Sequence, residues 1–174
     1  VIDAAPRISL LLTAAPRLKV LVTSREVLRL SGEVDCPVPP LSLPDPKRLP
    51  PLARFTQYEA VALFIERAIA VKPDFAITHE NAASVAEICY RLDGLPLAIE
   101  LAAARVRVLP PQSMLAELNH RLRFLVGGPR DLPARQKTLR SAIDWSHDLL
   151  TSAEEQLFRR LAVFVGGGML DAIT

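Results

Sequence analysis

The chain has 174 residues, of which half are hydrophobic and 23% charged, so it can bury a core and is not compositionally disordered. A net charge of +2 is too small to argue for a nucleic-acid partner by itself. Charge or proline interrupts every apolar run well before bilayer-spanning length, which excludes a transmembrane helix, and no membrane partner is expected.

The sequence starts at Val1 without an initiator methionine and stops at Thr174 just after a helical pattern resumes. We therefore expect a piece of a longer protein, with no signal peptide in view. Two cysteines, Cys36 and Cys89, lie far apart, and the three histidines (His79, His120, His147) are scattered without metal-ligand spacing. That usage fits reduced thiols in a cytoplasmic protein and no metal site.

In chain order, residues 1–18 read as the end of a helix, with Ile8, Leu11 and Leu12 on one face and Pro16 closing it. "KVLVTSRE" follows. Val20, Leu21 and Val22 have the continuous apolar character of a strand buried in a parallel sheet, with Thr23, Ser24 and Arg25 at its carboxyl end, where open α/β sheets bind ligands. Residues 36–51 contain seven prolines, and each removes a backbone donor. They predict an extended connector and a domain boundary.

Four helices are predicted next. Thr56 and Glu59 form a capping-box pattern before the stripe Val61, Phe64, Ile65, Ala68 and Ile69. Thr78 is placed to cap a second helix with the stripe Val85, Ile88, Cys89 and Leu92, and Gly94 to serve as its C′ residue. Pro96 suits the first turn of a third helix, which is apolar nearly all round from Leu97 to Ala104 and should lie at the centre of the bundle. Pro111 opens a fourth, with Met114, Leu115, Leu118 and Leu122 inward and Gly127, Gly128 and Pro129 ending it.

The last section starts near Leu139. Leu139, Ala142, Ile143, Ser146 and Leu150 share a face, with Trp145 beside it. Ser152 and Glu155 form a second capping-box pattern, Leu157, Phe158, Leu161 and Phe164 continue inward, and the glycines at 166–168 end the helix. Two helices joined at Thr151 suit the start of a winged-helix domain, or equally a generic helical hairpin. Residues 121–140 hold six Lys/Arg against one Asp, a pattern that favours a solvated face over a phosphate-contacting patch.

Catalytic constellations are scarce. No Ser/His/Asp or Cys/His set has local support, and no glycine is followed by lysine, so the phosphate-cradling G-x-x-x-x-G-K-[ST] loop is absent. "KVLVTSRE" has no terminal aspartate to hold magnesium. The chain lacks the machinery to hydrolyse ATP alone.

The ordered series "KVLVTSRE", "GEVDCPVPPLSLP", "EAVALFIERA", "GLPLAIELAAARV" and "LRSAIDWSHDLLTSAEEQLFRRLAVFVGG" resembles the core of NB-ARC-type STAND ATPases, most of all that of bacterial LuxR- or SARP-type regulators. The resemblance spans nearly the whole chain and implies a mostly α architecture. Residues 1–51 would be the end of a nucleotide-binding α/β core with its connector, 52–131 a four-helix bundle, and 132–174 the start of a winged-helix domain. It implies that Arg25 is a sensor arginine facing the γ-phosphate, and that Pro96 packs near the adenine of bound ADP with Leu95 and Leu97 flanking it. It further implies ADP or ATP with magnesium in the intact parent and none bound to this segment. Other domains of the same chain would be partners, as would further copies on activation, and DNA would be reached through a domain outside this segment. The function expected is that of a nucleotide-switched signal-transduction regulator of transcription. The alternative is a non-enzymatic winged-helix DNA-binding or protein-interaction module using 121–140.

Overall fold

In a computed structural model, residues 2–24, 26–128 and 133–163 are described, apart from the side chains of residues 121, 122 and 135. Arg25, the side chain of Leu122, Pro129, Phe164 and the glycines at 166–168 therefore lie outside the described residues. The chain is mostly α, with no strand or sheet among the described residues. It divides into two compact units, Val1–Pro39 and Pro40–Thr174.

The first unit holds a 3₁₀ turn, Ile2–Ala4, and helix α1, Ala5–Ala14. α1 carries a proline in its first turn, where a missing N–H is harmless. Of its apolar residues only Ala5 is buried; Leu11 is exposed and Ile8 and Leu12 are half-buried. The strand expected at Val20–Val22 is not formed, and Leu21 is 96% exposed. The physical reason is the lack of a mate: a strand is completed by hydrogen bonds to a neighbour, and no other described segment supplies one. Beyond it a turn is tied by Glu33, whose carboxylate accepts from the N–H groups of Leu28 (2.8 Å) and Leu30 (3.0 Å). Those two bonds, Leu28 first, hold the carboxyl of Glu33 below its ordinary pKa.

The second unit begins with a strap, Pro40–Pro44, and a short helix, α2, Leu52–Phe55. Then come α3 (Glu59–Val71), α4 (Ala82–Arg91), α5 (Pro96–Ala103), a 3₁₀ turn (Ala104–Arg107), α6 (Pro111–Glu117), a second 3₁₀ turn (Leu118–His120) and α7 (Arg121–Phe124). Phe55, Val61, Phe64, Val85, Ile88, Ile99, Leu101, Met114, Leu118 and Leu125 form a fully closed core. The predicted stripes of α3 and α4 face it, except that Ile65 is only partly buried and Ile69 is 43% exposed. Both lie on the rim of the stripe, where the neighbouring helix no longer covers them.

The helix caps differ in detail from the sequence patterns. Thr56 does not cap α3; Ser42 does, from the strap. Thr78 does not cap α4 with its hydroxyl. Instead Asn81 Oδ1 accepts from the Thr78 N–H (2.9 Å) and its Nδ2 donates to the Ala76 carbonyl (2.9 Å). The Asn81 amide thus satisfies a backbone donor and a backbone acceptor at once. α4 ends at Arg91 with Leu92 as its C-cap, so Asp93 (φ 55°) occupies C′ and Gly94 (φ 66°) follows it.

After α7 a single antiparallel bridge pairs Val126 with Thr138. It leads into α8 (Leu139–His147) and α9 (Ser152–Leu161). Thr138 caps α8 by accepting from the Ser141 N–H (2.9 Å). The capping box of α9 is Thr151 with Glu154, one residue earlier than Ser152 with Glu155. Ile143, Leu157 and Phe158, expected to point inward, are roughly half exposed, as is Trp145. Two short helices cannot cover each other's apolar faces without a second layer.

Candidate functional site

The break between α4 and α5 brings three of the four expected site residues together. Gly94 carries the chain through positive φ, and Leu95 returns to extended backbone (φ −76°, ψ 117°) as the N-cap residue. Pro96 then opens α5 with no N–H to leave unsatisfied. The Leu95 carbonyl accepts the first intrahelical bond, from Ile99 (3.1 Å). No side chain caps this helix start.

Exposure changes abruptly across the break. Leu95 is 45% exposed and Pro96 is exposed, while Leu97 is half-buried against the core. Ala98, Ile99, Leu101, Ala102 and Ala103 are buried. α5 packs chiefly against α3, and their outer surfaces are linked by an Arg67–Glu100 ion pair at 3.1 Å. The helix is thus fixed by its body while its first residues stay open, a geometry suited to holding a flat apolar surface against something outside. Arg25, the fourth expected site residue, is outside the described residues.

Sequence reasoning missed the strap. The Leu41 N–H donates to the Gly94 carbonyl (3.0 Å), and a Cβ on Gly94 would collide with the Leu41 carbonyl oxygen. Ser42 and Glu59 bond reciprocally: the Ser42 N–H donates to Glu59 Oε2 (3.1 Å), and the Glu59 N–H donates to Ser42 Oγ (3.1 Å). This is capping-box chemistry between segments far apart in sequence. Its only sequence signal is a lone hydroxyl residue among the prolines of "PPLSLP".

Two open grooves lie on the second unit. One, of 740 Å³, runs between Pro44, Lys47, Glu87 and Tyr90; the other, of 370 Å³, is bordered by Lys72, Asn81, Arg107 and Gln112. Neither is lined by Leu95, Pro96 or Leu97. Cys89 is buried, its Sγ 3.6 Å from the Ala60 carbonyl oxygen, and burial pushes its thiol up to about 12. Cys36 is exposed and unpaired. Among the described residues no group of His, Cys, Asp or Glu could hold a metal ion, and no helix is long and apolar enough to cross a membrane.

The chain is similar to longer mycobacterial proteins. It is 50% identical over 163 residues to a Mycobacterium tuberculosis protein provisionally named as an HTH-type transcriptional regulator, and to its Mycobacterium bovis counterpart of the same name. That match covers 94% of this chain and 17% of the relative. It is 45% identical over 172 residues to an uncharacterised Mycobacterium tuberculosis protein, covering 98% of this chain and 40% of that one. The chain therefore spans well under half the length of these relatives. No family model and no solved structure matches it.

Proposed function

We propose that the chain is the helical middle of a nucleotide-switched transcriptional regulator, and that the start of α5 is its adenine-side contact. The observation that carries this reading is the open Leu95–Pro96 pair on a helix whose body is buried. A rigid pyrrolidine ring flanked by leucines suits the flat face of a purine, and a core-anchored helix holds it there without an ordering cost. The order of motifs along the chain and the name of the 50%-identical relatives support the regulatory part of the reading.

In this reading the phosphates and magnesium are held by residues outside this chain, since the sequence has no glycine followed by lysine. Arg25 would meet the γ-phosphate through its planar fork of donors. A side chain that distinguishes ATP from ADP there would let the two nucleotides favour different arrangements of the protein, which is what a switch requires.

The test uses the intact parent protein. Pro96→Ala should weaken ADP binding while lowering the melting temperature of the nucleotide-free protein only slightly. Unchanged ADP affinity removes Pro96 from the site. The parent sequence should also carry a G-x-x-x-x-G-K-[ST] loop roughly a hundred residues before Val1.

A second reading, a DNA-binding or protein-interaction module, is favoured by α8 and α9 meeting at Thr151 with half-exposed Trp145 and Phe158. Its discriminating result is salt-dependent DNA binding by the chain without nucleotide.

A further inference from the structure

We propose that the strap Pro40–Pro44 is a latch on the start of α5, and that the two open and close together while the rest of the bundle stays folded. The strap is where the chain enters its second compact unit. It belongs to that unit physically: Pro44 is fully buried, and Leu41 and Leu43 pack on the core.

Two sets of bonds hold it. One end is fixed to α3 by the Ser42–Glu59 pair and by the Ala60 N–H, which donates to the Ser42 carbonyl (3.3 Å). The other is fixed to the α4–α5 break by the Leu41 N–H to the Gly94 carbonyl. Residues 41 and 42 are adjacent, so the clamp on α3 and the clamp on Gly94 cannot be released independently. Gly94 fits under Leu41 only because it lacks a Cβ, so the backbones touch directly and no flexible side chain can absorb a shift between them.

The same carbonyl that receives Leu41 belongs to the residue before Leu95, the N-cap of α5. Moving the strap therefore moves the N-cap. The Ser42–Glu59 bonds are exposed, and the bonds that hold the strap are few and lie at an element boundary, which are features of a segment that opens below the global unfolding free energy. Prolines on both sides of Leu41–Leu43 leave few alternative backbone partners and make the open strap stiff rather than random. The inference stands without the nucleotide reading; it makes the strap the route by which the exposed face of α5 and the entering chain affect one another.

Native-state hydrogen exchange on the 174-residue chain tests it without any ligand. Ser42→Ala removes only an exposed hydroxyl, so the variant folds. Exchange should speed up roughly tenfold at Leu41 and Glu59 and by a similar factor at Leu95 and Ile99, far along the chain. The Met114 amide of α6, bonded to the Pro110 carbonyl (3.3 Å), should keep its wild-type rate. Glu59→Gln, which keeps the shape and loses the charge, should give the same pattern with a smaller factor. Acceleration confined to Ser42, Glu59 and Ala60 overturns the proposal, because the strap would then be a local cap. Equal acceleration at Met114 overturns it too, because strap and bundle would then open only as one.

Discussion

Leu101→Ala and Pro96→Ala, made on the same helix, separate what holds α5 from what α5 presents. Leu101 is 1% exposed in the middle of a helix whose other buried positions include Ala98, Ala102 and Ala103. Alanines have no side-chain length with which to fill a neighbouring void. The cavity left by Leu101→Ala should therefore persist, and the loss should fall in the upper part of the usual range, about 3–5 kcal/mol. Pro96 is exposed at the first helical position, where its ring satisfies no partner and alanine is accepted. Its replacement loses mainly unfolded-state restriction, about 0.4–1 kcal/mol. Urea unfolding followed by far-ultraviolet circular dichroism reads both. A midpoint shift for Pro96→Ala as large as that for Leu101→Ala would refute the reasoning, because Pro96 would then be part of the fold's support and its exposure would carry no functional meaning.

The remaining expectations concern charge and thiol chemistry. Cys89, with its thiol raised to about 12 by burial, should resist alkylation at neutral pH until the bundle is unfolded, while exposed Cys36 reacts at once. Peptide mass spectrometry after brief iodoacetamide treatment checks this, and equal labelling would contradict the packing of α4 on α3. Glu154 is held below its ordinary pKa by the Thr151 N–H first and the Thr151 hydroxyl second. A depressed carboxyl stabilises above its unfolded value, so the α9 cap should be intact at neutral pH and weaken as acid drives pH down through the folded value. The Thr151 amide resonance should follow that titration, and Glu154→Gln should abolish it. In the parent protein, Arg25→Ala should weaken ATP binding about ten- to a hundredfold and leave ADP nearly unchanged, with Arg25→Lys restoring only part. Equal losses for both nucleotides would move Arg25 off the γ-phosphate.

The helices between Glu59 and Glu117 were legible because their signals are local. Val85, Ile88, Cys89 and Leu92 recur at helical spacing and are all buried, and the proline after Gly94 marks a helix start that the structure has at Pro96. What failed to read out was non-local. Val20–Val22 has strand character, but composition specifies a preference and not a partner, and the preference alone forms no ladder. The α3 cap illustrates the same limit from the other side. Glu59 does belong to a capping pair, yet its mate is Ser42 and not Thr56, because the strap delivers a hydroxyl and a backbone N–H together. Ile143 and Leu157 show a third form: periodicity names the apolar face of a helix and says nothing of what covers it.

These failures share a cause that bears on the candidate site. A hydrophobic period, a cap box and a turn glycine are each satisfied within about ten residues, whereas the residue before the start of α5 is bonded by Leu41, whose neighbour Ser42 is in turn held by Glu59. A "DGLP" break with a buried helix behind it makes a stop and a start. It becomes a held surface only when another segment fixes the carbonyl before the N-cap, and here Leu41 does so. Glycine at 94 is thus required twice, by its positive φ and by the closeness of Leu41. The second requirement is invisible in the local sequence and is the one that connects the break to the rest of the chain. If the Leu95–Pro96 surface binds a ligand, its geometry is set as much by the strap as by the helix that carries it.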